Sequence, residues 1–139
     1  MPFKVPFTDM KPVINEFIKT TLQDAWSRNT NNKSYSVKPV LGDWLPSYRR
    51  DRREEVVLCR IRIGHTRHTH GHLLTKDLAP ECIPCFAPYT IEHLFIHCVD
   101  VAPYLDKYFK VQSMKELFDT VSVDTILTFL KEINIYSKM

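Results

Sequence analysis

Several things are missing from this sequence, and each absence excludes something. No apolar run in its 139 residues approaches the roughly 18 to 20 needed to cross a bilayer. The opening "MPFKVPFTDMKP" has no apolar stretch of the secretory-signal kind. Internal repeats, low-complexity segments and strand alternation of useful length are all lacking. No adjacent Asp-Asp pair occurs and the acidic residues are scattered, so the clustered carboxylates that hold paired catalytic metals have no counterpart here. Cysteine is held to four residues. A soluble intracellular protein with no membrane partner is expected, its thiols reduced and suited to a metal more than to disulfides.

With 44% hydrophobic and 25% charged residues, the chain can bury a real core. We expect one compact unit overall: an N-terminal helix and connector over 1–48, then a basic helix, a metal knuckle and C-terminal helices over 49–139. Charge divides unevenly. Residues 1–48 carry six Lys/Arg against four Asp/Glu, 49–76 eight against three, and 77–139 five against nine, giving +2, +5 and −4. A basic middle beside an acidic tail can meet phosphate, although a solvated helix face has the same composition.

The periodicity predicts a mainly α fold. "MKPVINEFIKTTLQDAW" spaces Val13, Ile14, Phe17, Ile18, Leu22 and Trp26 along one helical face, with Thr8 or Asp9 available as the cap. The segment "SRNTNNKSYSVKPVLGDWLPSY" reads as a long connector with an extended piece around Tyr35 to Val40, docked by Trp44 and Leu45. "RRDRREEVVLCRIRI", Arg49 to Ile63, reads as a basic helix whose inner face is Val57, Leu58 and Ile61, stopped by Gly64. A shorter helix is expected from His68 to Leu74 and another in "VDVAPYLDKYF". Ser113 and Glu116 form a capping box before "MKELF", and the last helix buries Ile126, Leu127, Leu130 and Ile133.

The stretch "CIPCFAPYTIEHLFIHC" concentrates the chemistry. Cys82 and Cys85 make a C-x2-C knuckle, whose tight turn brings two thiolates onto one Zn²⁺. Three residues compete to complete the site. On a regular helix His93 and His97 share a face, whereas Cys98 lies about 140° round from His93. Thiolate, however, is the stronger ligand, and a helix break before Pro103 would turn Cys98 inward. H-x4-C is also the closing half of the retroviral-type knuckle, although the C-x7-H gap is longer than in that motif.

The words "RREEVVLCRIRIGHTRHTHGHLL", "CIPCFAPYTIEHLFIHC" and "VSVDTILTFLKEINIY" resemble the C-terminal tail of the polyprotein of non-LTR retrotransposons, of the LINE or jockey-like kind. The likeness runs over nearly the whole chain. It implies a small helical domain with one embedded CCHC zinc knuckle carried by Cys82, Cys85, His93 and Cys98, lying downstream of a reverse transcriptase and RNase H region. It also implies a non-catalytic role in handling nucleic acid, in a nuclear or cytoplasmic ribonucleoprotein.

On this reading Arg49, Arg50, Arg52, Arg53, Arg60, Arg62 and Arg67 meet phosphates of single-stranded RNA or DNA, to which guanidinium is suited. Phe86 and Tyr89, between the ligand pairs, either face an unpaired base or close a small apolar cluster over the zinc. "GHTRHTHGH" could form a second metal site from His65, His68, His70 and His72; ordinary polar helix residues account for it more simply. Cys59 reads as a small core or boundary residue. A zinc hydrolase would need an open coordination position, with Glu92 as its base, and four protein ligands close that position. The alternative to nucleic acid is a zinc-stapled protein-interaction module that docks on the polymerase or RNase H part of the same polyprotein.

Overall fold

The computed structural model describes residues 6–43, 49 and 51–139. Trp44, Leu45 and Arg50, to which docking and phosphate roles attach above, lie outside the described residues. The chain is mainly α and forms two compact units, residues 1–43 and 44–139.

In the first unit, α1 spans Phe7–Ser27 and begins earlier than its periodicity suggested. Pro6 occupies the cap without a side-chain bond, so Thr8 and Asp9 fall inside the first turn rather than capping it. The Thr8 hydroxyl donates to the Asp9 carboxylate there, and Asp9 still favours the positive end of the helix dipole. The expected apolar face does not become a core. Val13 is 70% and Phe17 71% exposed, and of that face only Trp26 is half-buried.

What α1 does hold is its own connector. Trp26 Nε1 donates to the Lys38 carbonyl at 2.8 Å, and its ring tilts against Tyr35 at 6.0 Å. The Gln23 amide donates to the Pro39 carbonyl at 2.9 Å and accepts from Leu41 N–H at 2.8 Å. The extended piece expected from Tyr35 onward is instead a helical turn, α2, over Lys33–Val37. The Asn32 side chain caps it by accepting from Ser34 N–H, and the chain straightens only at Lys38, where the following proline disfavours helix.

The second unit opens with α3, Arg52–Ile63, capped by the Asp51 side chain and closed by Gly64 at φ 70°. Val57, Leu58 and Ile61 are buried, as their spacing predicts. The region expected as one helix from His68 to Leu74 is two single turns, α4 (Arg67–His70) and α5 (His72–Thr75). Gly71 joins them under a tight constraint: a Cβ there would lie 2.5 Å from the Arg67 carbonyl oxygen. A two-residue antiparallel ladder follows, β1 (Glu81–Cys82) and β2 (Ala87–Pro88), pairing Cys82 with Ala87.

Next come a π-helical turn, His93–His97, then α6 (Ala102–Tyr108), α7 (Met114–Thr120) and α8 (Val123–Glu132). A 3-10 turn, Tyr136–Lys138, ends the described chain. Ser113 caps α7 by accepting from Glu116 N–H. The Glu116 carboxylate accepts from Gln112 N–H rather than from Ser113, so only half of the expected capping box is made. In α8, Ile126, Leu127 and Leu130 are buried as expected. Phe129 completes the buried face, and Ile133 is only half-buried.

Phe129 lies 5.4 Å from Phe95 and 5.1 Å from Phe109, which joins the π turn, α6 and α8 in one aromatic cluster. Full burial of such side chains contributes about 1.5–3 kcal/mol each. This cluster anchors one half of the site.

Candidate metal centre and basic cleft

Cys82, Cys85, His93 and Cys98 each turn a ligand atom into one volume, all within 4.8 Å of one another. The ladder supplies the first pair: the pairing of Cys82 with Ala87 folds the chain back so that Cys85 stands at the tip of the turn. The π turn supplies the second. Its hydrogen bonds run from residue i to i+5, a wider turn that brings Cys98 back over His93 where an α-helix would separate them. Cys98 then takes extended geometry, with φ −72° and ψ 117°. It is buried, and His97 is exposed, so the choice left open by spacing falls to Cys98.

The Cys82 and Cys98 sulfurs are 3.7 Å apart. That is far beyond a disulfide of about 2.05 Å. It matches the roughly 3.8 Å edge of a tetrahedron whose metal–sulfur bonds are about 2.3 Å. His93 Nε2 is buried and has no hydrogen-bond partner among the described residues. A buried imidazole nitrogen in that state costs free energy unless something accepts its lone pair. Burial, and next the neighbouring His97, holds His93 below the usual imidazole range, keeping it neutral.

The sulfurs are tuned in opposite directions. Val99 N–H donates to Cys85 Sγ at 3.3 Å and holds that thiol below its usual range. Burial pushes Cys98 up to about 11, because a thiolate there has no counter-charge of its own. A divalent cation among the four would supply it. The donor set and its spacing therefore fit a metal ion.

The two aromatics between the ligand pairs part company. Tyr89 is half-buried, edge-on to His68 at 4.7 Å and 6.2 Å from the His93 ring, so it packs beside the site. Burial pushes its phenol up to about 12. Phe86 is 91% exposed and sits at φ 51°, a left-handed conformation unusual for so bulky a residue.

The arginines are sorted by the fold. Arg52, Arg53, Arg60 and Arg67, with His65 and His70, line one cleft of about 650 Å³ on the α3–α4 side, and no described lining residue has an acidic side chain. Two of the four already touch the chain's last residues. The Arg53 guanidinium donates to the Ser137 carbonyl at 3.3 Å and Arg60 to the Met139 carbonyl at 2.7 Å. Arg52 and Arg67 are exposed.

Of the arginines expected on phosphate, the two others that are described, Arg49 and Arg62, lie elsewhere. Arg49 is held by Glu54 at 2.9 Å and Asp124 at 2.6 Å. These bonds keep its own basicity raised, with Asp124 the larger cause, and hold Glu54 below the usual carboxylate range. Arg62 lies 5.5 Å over the Phe118 ring, and burial lowers its basicity.

The four histidines of "HTRHTHGH" do not gather round a point. The single grouping of three or more metal-binding side chains among the described residues is the Cys3His set. His65 and His70 instead stack face to face in the cleft, at 3.9 Å and 17°. Histidine counting misses this arrangement; the signal for it was Thr66, three residues before Thr69, which sets the α4 turn. Cys59 is exposed on α3 rather than packed in the core. Comparison with protein-family models, with curated proteins and with solved structures returns no significant match.

Proposed function

We propose that this chain is a non-catalytic module that binds single-stranded RNA or DNA through its arginine cleft, with Zn²⁺ stapling the fold beside it. The observation that carries the reading is the convergence of Arg52, Arg53, Arg60 and Arg67 on one cleft whose described lining has no acidic side chain. Four guanidinium groups in a concave surface suit phosphate, which they can meet with paired hydrogen bonds. Zinc is favoured by the donor set, three sulfurs and one imidazole, at tetrahedral spacing. Four protein ligands leave no position for substrate, which makes the ion structural. An origin in the tail of a non-LTR retrotransposon polyprotein accords with the sequence words quoted above and is part of this proposal.

The test is a fluorescence-anisotropy titration of the zinc-loaded chain with labelled single-stranded RNA at two salt concentrations. Four phosphate contacts give a slope of log K against log salt of about −2.8 for a single strand, and so roughly a 50-fold weakening over a fourfold rise in salt. No binding at low salt overturns the reading.

A second reading, a protein-interaction module that docks on the polymerase or RNase H part of such a polyprotein, has its own support. The apolar stripe of α1, including Phe7, Val13 and Phe17, is left uncovered within its unit. Binding of such a polymerase or RNase H part by the chain, with no affinity for nucleic acid, would favour it.

A further inference from the structure

We infer that the stacked imidazoles of His65 and His70 form a platform for one nucleobase of the bound strand, with Arg52 and Arg67 holding its flanking phosphates. The inference rests on the nucleic-acid reading and deepens it, since arginines alone would accept any polyanion. The two rings are nearly parallel at 3.9 Å, the spacing of face-to-face π contact. His70 is the inner member, half-buried, with Thr69 Oγ1 2.6 Å from its Nδ1. His65 is the outer member, exposed in the same cleft as the arginines.

The backbone beneath both rings is set by local caps. Gly64 at φ 70° closes α3, with Gly64 N–H bonded to the Ile61 carbonyl and His65 N–H to the Arg60 carbonyl, each at 3.0 Å. This C-terminal cap sets the backbone at His65. Thr66 and Thr69 cap each other at the start of α4, which sets the backbone at His70. The His65 ring, stacked on His70, therefore presents a flat surface where cationic side chains recruit a polyanion. The common polyanion that also carries flat rings is a nucleic acid strand, and an unpaired base has its π-face available.

The experiment compares two labelled strands of equal length and charge, one of adenylate residues and one an abasic phosphodiester, against the zinc-loaded full chain. The wild type should prefer the adenylate strand about tenfold, within the range of one base stacked on a ring. His65→Ala should remove most of that preference and leave affinity for the abasic strand nearly unchanged. His65→Phe, which keeps a flat ring and removes the imidazole nitrogens, should retain it. An upfield shift of the His65 ring protons on adding the adenylate strand should accompany binding.

Equal affinity of the wild type for the two strands overturns the platform while leaving the arginine cleft standing. So does a His65→Ala variant that weakens both strands alike. Failure of both strands to bind at low salt removes the nucleic-acid reading itself, and the platform with it.

Discussion

Consider Phe86 replaced by alanine and, in a second variant, by glycine. At most positions alanine is the more stabilising of the two by about 0.4–1 kcal/mol, because glycine leaves the unfolded chain more freedom. At φ 51° the order should invert. A Cβ in the left-handed region costs roughly 1–2 kcal/mol, which glycine escapes and alanine does not. The ring itself contributes little: with 91% of it exposed, about a tenth of roughly 200 Å² is covered, or about 0.5 kcal/mol. That small loss is common to both variants and cancels between them. The net expectation is that Phe86→Gly is more stable than Phe86→Ala by up to about 1.6 kcal/mol, a difference of several degrees in Tm for a unit of this size. The assay is thermal unfolding by circular dichroism at fixed, saturating zinc, since free metal also moves Tm. A Phe86→Ala variant equal to or more stable than Phe86→Gly would refute the backbone argument. If Phe86 also meets nucleic acid, both variants should bind RNA more weakly.

His97→Ala should leave zinc affinity in a chelator competition almost unchanged, whereas Cys98→Ala should lower it more than about 100-fold, since even groups that only support metal ligands are worth 10- to 100-fold; the reverse ranking would overturn the assignment of Cys98. Arg52→Ala and Arg67→Ala should each reduce the steepness of the salt dependence by about 0.7, whereas Arg49→Ala and Arg62→Ala, whose guanidinium groups serve Glu54, Asp124 and the Phe118 ring, should leave it alone. Burial, and next Lys138, lowers the basicity of His68, so the unfolded chain takes up the proton first as pH falls below about 6.5. The stability that the neutral ring carries is present above that value and lost as pH falls through the folded one. His68→Gln should therefore show a flatter Tm profile than wild type between about pH 7.5 and 5.5, and parallel profiles would contradict it.

The helices that proved legible carry their instructions locally. In α3, the spacing of Val57, Leu58 and Ile61 and the stop at Gly64 are all within one turn or two of the residues they govern, and α8 is similar. The α1 helix and its apolar stripe were legible, but periodicity reveals which face is apolar and says nothing of what covers it. The helical turn in the connector was not legible because an asparagine in a polar stretch reads as a turn former, whereas the Asn32 side chain caps a helix there. At the candidate site, the ligand types and the C-x2-C spacing were visible from the start. Spacing alone left the fourth ligand open between His97 and Cys98, and only the resemblance named Cys98, because the angular argument assumes 3.6 residues per turn and the chain uses a wider one there. The sorting of the arginines was invisible for a different reason. Whether a guanidinium meets Asp124, the Phe118 ring or an open cleft depends on residues tens of positions away in sequence.

The π turn has a bearing on portability. In a zinc module that behaves like a bead on a string, the ligands and the loop between them make up the whole folding unit and can be cut out and transplanted. Here the five residues that present His93 and deliver Cys98 also insert Leu94 and Phe95, both buried, into the main core. The 17-residue stretch from Cys82 to Cys98, moved to another host, would keep its donors and lose the packing that holds the turn wide. Within this chain the dependence runs both ways: a change at Phe109 or Phe129 that loosens Phe95 should register as weaker metal binding, making chelator competition a gauge of the helical core.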